Sequence, residues 1–320
     1  MKKFLSILLV LSMILSFAAC SNTTPAANDS YTVGICQLVQ HAALDKATEG
    51  FKAALSEKLG DKVKFIEQNA SGDAVNCSTI CNQFVSENVD LIMANATAAL
   101  QAAAAATDTI PVVGTSISHY ATALEIENWT GKVGGNITGT SDLAPLDQQA
   151  EMIKELFPDA KTIGILYCSA EANSVFQSDT IKGFIEDLGY EVKVFTFADS
   201  NDVASVTTTA CAESDVIFIP TDNTAASCAE TINNVCLPAG VPVINGEKEV
   251  CKACGVAALS IDYYDIGYAA GLMACDILEK GTNAGDMEIQ YAPEVEKVFN
   301  KNNCDALGIT IPEGYVAIED

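Results

Sequence analysis

Basic side chains are scarce: lysine and arginine together number 17 in 320 residues, against 42 aspartates and glutamates, for a formal net charge of −25. A polyanion of that kind excludes nucleic acid and anionic lipid surfaces as partners, because its own field repels them. The acids read instead as a solvated surface. Histidine is almost absent, with only His41 and His119, and neither lies in a nucleophile or metal motif. No G-x-S-x-G, G-x-x-x-x-G-K-[ST] or H-E-x-x-H occurs, so hydrolase-elbow, P-loop and zincin chemistries have no anchor. No base–nucleophile pair points to an enzyme. The run Gly134-Gly135-Asn136-Ile137-Thr138-Gly139 superficially resembles a phosphate loop but has no following lysine. Tryptophan occurs once, at Trp129. After the amino-terminal segment, no hydrophobic stretch reaches membrane-spanning length without charge or turn residues. Neither a cofactor nor a metal site is expected.

Cysteine is plentiful, at 12 residues. With Cys20 set aside the count is odd, so at least one thiol is left over. Cys36, Cys168, Cys211 and Cys275 lie in apolar runs, and Cys77 and Cys81 are one helical turn apart on a core-facing side. Such residues are expected to be buried, reduced small hydrophobes. Cys251-Lys252-Ala253-Cys254 is a lone CxxC without the second ligand pair that zinc requires. The alternative is one disulfide, at Cys251–Cys254 or over a longer range. Abundant unpaired thiols outside the cytoplasm fit an anaerobic source.

The amino terminus carries Lys2 and Lys3, an apolar run from Phe4 to Phe17, and Ala18-Ala19-Cys20. That is the pattern of a secretory signal over residues 1–19. A cysteine directly after Ala-Ala resembles a bacterial lipoprotein cleavage site, which implies a lipidated Cys20 as the new terminus, although Phe17 departs from the usual aliphatic residue. Ser21 to Ser30 is polar, holds one proline and lacks apolar periodicity, as a tether does. The folded part is expected to be soluble, held outside the membrane by its end.

From Tyr31 onward the chain repeats one plan. Thr162 to Phe184 reads as a buried strand, a loop and a helix. Thr32-Val33-Gly34-Ile35, the turn from Gln37 and the helix carrying Gly50-Phe51 echo it. Lys64-Phe65-Ile66 is answered by Val192-Lys193-Val194, Asp90-Leu91-Ile92 by Asp215-Val216-Ile217, and Ile110-Pro111-Val112-Val113-Gly114 by Val241-Pro242-Val243-Ile244-Asn245-Gly246. Two copies of a β-α-β-α-β unit predict an α/β protein of two similar Rossmann-like lobes. Parallel sheets place ligands beyond the carboxyl ends of their strands, so the facing lobes should form a cleft. The glycine-rich stretch 134–142 is expected to cross between lobes, with a return near Ser260–Asp265, a helix from Gly267 to Lys280, and edge strands with a short helix in the tail.

Short polar residues gather at the predicted strand ends. They are Gln37, His41, Thr97, Thr115 and Ser116 from the first lobe, and Thr140, Ser141 and Asp142 from the crossing. Ser169, Glu171, Asn173, Ser174, Gln177, Asp222, Asn223 and Glu247 come from the second lobe, and Asp262 from the return. The mixture suits a small zwitterion, since hydroxyls and helix-start N–H groups accept a carboxylate and a carboxylate side chain meets an ammonium. Each residue singly has a competing role as a cap or turn former, most plainly in Ser169–Ser174.

Several segments resemble one family together. They are Gly34–His41 with Leu44-Asp45, Gln68-Asn69-Ala70 with Gly72-Asp73, Ala96-Thr97 with Gln101-Ala102, and Gly135–Asp142. Gly164–Tyr167 with Ser169, Glu171, Asn173-Ser174 and Gln177 continue the match, as do Pro220–Asn223 and Asp262-Tyr263-Tyr264 with Gly267. The chain resembles the ABC-transporter substrate-binding lipoproteins of the tryptophan/tyrosine-binding type. It departs from them at Ser118-His119-Tyr120, where the family has an acid and a proline, and around 125–131. The resemblance implies a type I periplasmic-binding-protein fold with a three-strand hinge. Its lobes would be residues 31–138 plus about 264–288, and 139–263 plus about 289–320. It also implies a monomer that closes on an aromatic amino acid and delivers it to an ABC permease. On this reading Thr97 with Thr115 or Ser116 holds the carboxylate, Asp222 or Glu247 pairs the ammonium, and the ring meets Tyr120, Tyr167 or His41. The alternatives are a sensing or adhesion lipoprotein on the same fold, and a nucleoside- or sugar-like ligand.

Overall fold

The computed structural model describes residues 30–292 and 294–319; the expected signal segment and Cys20 lie outside the described residues. The chain opens with β1 (Tyr31–Gln37), α1 (Ala42–Leu59), β2 (Val63–Asn69), α2 (Ala74–Ser86), β3 (Leu91–Asn95), α3 (Thr97–Ala106), β4 (Val112–Ile117), α4 (Tyr120–Ala123) and β5 (Ile137–Ser141). The second copy of the plan follows as α5 (Leu146–Leu156), β6 (Thr162–Cys168), α6 (Ala172–Asp187), β7 (Glu191–Phe197), α7 (Val203–Glu213) and β8 (Val216–Ile219). It continues with α8 (Asn223–Ser227), α9 (Ala229–Ala239), β9 (Val243–Asn245), α10 (Lys248–Cys254) and β10 (Ala257–Ser260). The tail holds α11 (Tyr263–Lys280), β11 (Gln290–Tyr291), β12 (Glu296–Phe299), α12 (Lys301–Leu307) and β13 (Val316–Ala317).

Two sheets result. The first runs β11-β5-β4-β3-β1-β2 and is parallel throughout. The second runs β13-β12-β10-β9-β8-β6-β7, with β12 antiparallel to β10. β3 and β8 are buried along their whole length, because helices cover both faces of a parallel sheet and leave no solvated side for alternation. Each sheet has one apolar cluster on either face. In the first lobe Leu44, Phe84, Ile92 and Leu100 pack on one side, and Val33, Phe51, Met93 and Val113 on the other. This is the type I periplasmic-binding-protein fold.

The chain passes between the sheets three times, after β5, after β10 and after β11. The first and last of these points differ from the sequence expectation. Gly139–Ser141 complete β5 inside the first sheet, in register with β4, and Gln290-Tyr291 pair with Thr140-Ser141. The outgoing crossing therefore follows Ser141, and the last one follows Tyr291. α11 also begins earlier than Gly267, because the Asp262 side chain caps it by accepting from the N–H groups of Tyr264 and Asp265. It packs along α1 at two glycines. A Cβ on Gly267 would stand 2.0 Å from the Ala47 carbonyl oxygen, and one on Gly50 would stand 2.1 Å from that of Tyr264. This backbone-to-backbone contact fixes the helix that follows the return crossing onto the first lobe.

Candidate functional site

The carboxyl ends of both sheets meet in a cleft. On the first lobe, β4 has a register shift against β5 between Gly114 and Ile117. Within it, Ser116 takes φ +57°, a conformation that non-glycine residues adopt only where the surroundings impose it. The bulge re-aims the side chain, and Ser116 Oγ ends buried without a partner. Thr97 opens α3 and is 5 % exposed. It follows Ala96, which itself holds φ +89°. The first N–H groups of α3 are those a helix cannot bond internally. Thr115 Oγ1 accepts from Thr140 Oγ1 at 3.0 Å, and Ser141 Oγ donates to the Ser118 carbonyl at 3.1 Å. Gln37 is committed within its own lobe: its Nε2 donates to Asp45 Oδ1 at 2.6 Å and its Oε1 accepts from Thr48 Oγ1 at 2.6 Å.

Asp142, just past the outgoing crossing, is 3 % exposed. One carboxylate oxygen, Oδ2, accepts from the Tyr263 hydroxyl at 2.8 Å, while Oδ1 is buried without a partner. Burial raises its pKa above the ordinary value, opposed by the Tyr263 hydrogen bond and the nearby Ser118 hydroxyl. The other two buried acids differ. Asp222 caps α8, with Oδ1 accepting from Ala225 N at 2.7 Å and Oδ2 from Cys168 N at 2.7 Å. Glu247 caps α10, its oxygens accepting from Glu249 N at 2.7 Å and Val250 N at 2.5 Å. Burial, with Glu171 adding to it at Asp222, pushes both acids up to about 7. The expected ammonium partners thus have every oxygen engaged with backbone, and Asp142 is the acid with an oxygen to spare.

Glu171 is likewise engaged, accepting from the backbone and side chains of both Asn223 and Thr224 between 2.7 and 3.0 Å. Asn173 donates to the Thr221 carbonyl at 3.0 Å, and Ser174 is fully buried beside it. Ser169 and Asp262 are exposed. The Ser169 hydroxyl donates to the Phe197 carbonyl at 3.3 Å. Tyr120 and Tyr167 are core residues: the Tyr120 hydroxyl donates to the Thr140 carbonyl at 3.1 Å, and Tyr167 packs in the second-lobe core.

Contacts join the lobes across the cleft. His41 Nε2 meets Asn223 Oδ1 at 3.3 Å, Gln177 Nε2 donates to Ser118 Oγ at 3.1 Å, and Lys46 pairs with Glu249. The His119 ring stacks on Phe176 with centroids 4.2 Å apart and planes 4° from parallel. His41 Nδ1 is buried and unpartnered, and burial holds its pKa below the ordinary value, so the ring is neutral near pH 7. A cavity of about 460 Å³ remains at the cleft mouth, with Leu38, Val39 and Ala98 on one wall and Cys168, Ala170 and Ala198 on the other. Sequence reasoning did not single out Ser118, Tyr263 or Phe176 as site residues. Tyr263 adjoins the motif residue Asp262, and Ser118 extends the strand-end run from Gly114, so position carried some signal for both.

The basic residues are all lysines, since the chain has no arginine, and no lysine is among the described buried residues. An anionic group in this cleft must therefore be met by N–H and hydroxyl donors, while the buried acids call for a cation. Among the described residues no cluster could hold a metal ion, and no helix is long and apolar enough to cross a membrane.

Two lobes joined by three crossings and closed over a buried polar cleft define a solute-binding protein. The family described as ABC transporter substrate-binding protein matches residues 32–318, and the chain belongs to it. The chain is 35 % identical over 278 residues to a tyrosine-binding protein of Clostridioides difficile (strain R20291), covering 86 % of this chain and 80 % of the relative. A Streptococcus pneumonia ABC domain in complex with L-Trp superposes with a TM-score of 0.85 at 34 % identity, over 90 % of this chain and all of that one. The ligand-free, open structure of a Clostridium difficile substrate-binding protein with adhesive properties gives 0.69 at 32 % identity, over 90 % of this chain and 99 % of that one.

Proposed function

We propose that this chain binds a zwitterionic aromatic amino acid between its lobes and passes it to an ABC permease on the extracytoplasmic side. The observation that carries the proposal is Asp142 Oδ1, buried and unpaired in a cleft with no buried basic residue. Leaving such an acceptor unmet costs about 1–3 kcal/mol or more, and a ligand ammonium would meet it. Thr97, Ser116 Oγ and the first N–H groups of α3 would receive the carboxylate. The tyrosine-binding relative and the relative in complex with L-Trp support an aromatic side chain. The process is binding and release by hinge closure, without turnover. The chain would be tethered as a monomer by a lipid on Cys20.

Isothermal titration tests the assignment. Asp142→Asn should weaken binding by about 2–5 kcal/mol, because the ammonium is then buried unpaired. Asp222→Asn should leave affinity within a few-fold. Normal binding by the Asp142 variant together with loss in the Asp222 variant would reverse the roles. The adhesive properties of the Clostridium difficile relative favour surface attachment as a second reading. Binding of host-cell surface by a variant that no longer binds amino acid would separate it from transport.

A further inference from the structure

Cys211 on α7 and Cys236 on α9 face each other at 3.6 Å between sulfurs. Their exposures differ: Cys211 is partly open to solvent, whereas Cys236 is 1 % exposed. Among the described cysteines only Cys211 and Cys228 are not buried, and Cys228 meets the Ser227 hydroxyl rather than a thiol. Cys36, Cys77 and Cys81 also interact with one another, but all three are fully buried and out of a solution reagent's reach. Neither Cys211 nor Cys236 takes part in the cleft.

We propose that Cys211 and Cys236 form a dithiol/disulfide site, with Cys211 as the accessible nucleophile and Cys236 as the resolving thiol, oxidised by a small-molecule disulfide. The contact with Cys236 lowers the pKa of Cys211, while the same contact and burial raise that of Cys236. The Cys211 thiolate attacks one sulfur of the donor R–S–S–R. A mixed disulfide forms on Cys211 and the donor's other half leaves as a thiolate, taking up the proton that Cys211 gave. Cys236 then loses its proton and attacks the Cys211 sulfur, and the second R–S⁻ leaves with that proton. Two protein thiols are oxidised by two electrons, and the donor is reduced to two thiols. The bridge would close the 25-residue span that contains β8, Asp222 and α8, tying the helices that flank the second lobe's cleft wall.

The full chain, reduced and then exposed to glutathione disulfide, should lose two hydrogens in intact mass, with peptide mapping joining Cys211 to Cys236. Its thermal midpoint should rise by roughly 5 °C. Cys236→Ser should trap glutathione on Cys211, and Cys211→Ser should abolish the bridge. Cys211 should alkylate at lower pH in the wild-type chain than in Cys236→Ser. The proposal is overturned if the folded wild type keeps glutathione on Cys211 unresolved, if the bridge maps to other cysteines, or if Cys236→Ser leaves the pH of Cys211 alkylation unchanged.

Discussion

A buried carboxylate in this cleft can serve the fold or the ligand, and the fate of its second oxygen decides which. Asp222 and Glu247 spend both oxygens on helix-start N–H groups or the neighbouring strand end; Asp142 spends one. Sequence alone makes the three alike, since an acid just past a strand reads the same whether it caps or binds. Strand-end position thus marks candidates, while which of them cap and which keep a free oxygen is set by the fold. Tyr120 and Tyr167 show the same limit, because an aromatic near a strand end packs inward or outward according to its neighbours. The caps also carry a pH signature. Burial lifts Asp222 from an ordinary 3.8, and Glu247 from 4.5, to about 7 in the folded state. Both pKa values are raised relative to the unfolded chain, so this contribution to stability is full below the ordinary carboxylate range and is lost as pH rises through about 7. The thermal midpoint of the ligand-free chain should therefore fall between about pH 5 and about pH 8, and Glu247→Gln should flatten the profile. A midpoint that rises over that range would contradict the assignment.

At the scale of elements, the strands were the most legible because buried parallel strands are continuous apolar runs bounded by turn residues. β11 falls in the tail where edge strands were expected, but it pairs with β5 of the first sheet, a partner no local pattern encodes. β5 was read as part of the crossing because its glycine-rich composition resembles a linker. α11 shows how a cap outranks pattern: Asp262, expected among ligand contacts, is exposed and holds the helix start. Asp262→Ala should cost about 1 kcal/mol of stability and leave ligand affinity unchanged, checked by denaturant melts alongside titration. The α1–α11 contact should be far less tolerant. Gly267→Ala puts a methyl into the Ala47 carbonyl, and prying the helices apart should cost about 1–3 kcal/mol or more, seen as a lower denaturation midpoint.

Across the whole molecule, the repeat in the sequence predicts two lobes, and both sheets carry it. Their relative arrangement is set by groups far apart in sequence, including His41 with Asn223, Ser118 with Gln177, and His119 with Phe176. No local pattern encodes such pairs, so closure was not readable from the sequence. The account therefore turns on a buried zwitterion whose ammonium meets Asp142 and whose carboxylate meets Thr97 and Ser116. Calorimetric titration of the folded chain with L-tyrosine, L-tryptophan and L-phenylalanine, each beside its analogue lacking the amino group, tests that claim most directly. The account predicts saturable one-to-one binding of at least one of the amino acids and loss of binding by its desamino partner. Equal binding of both, or binding of a sugar or nucleoside in place of all three, would contradict it.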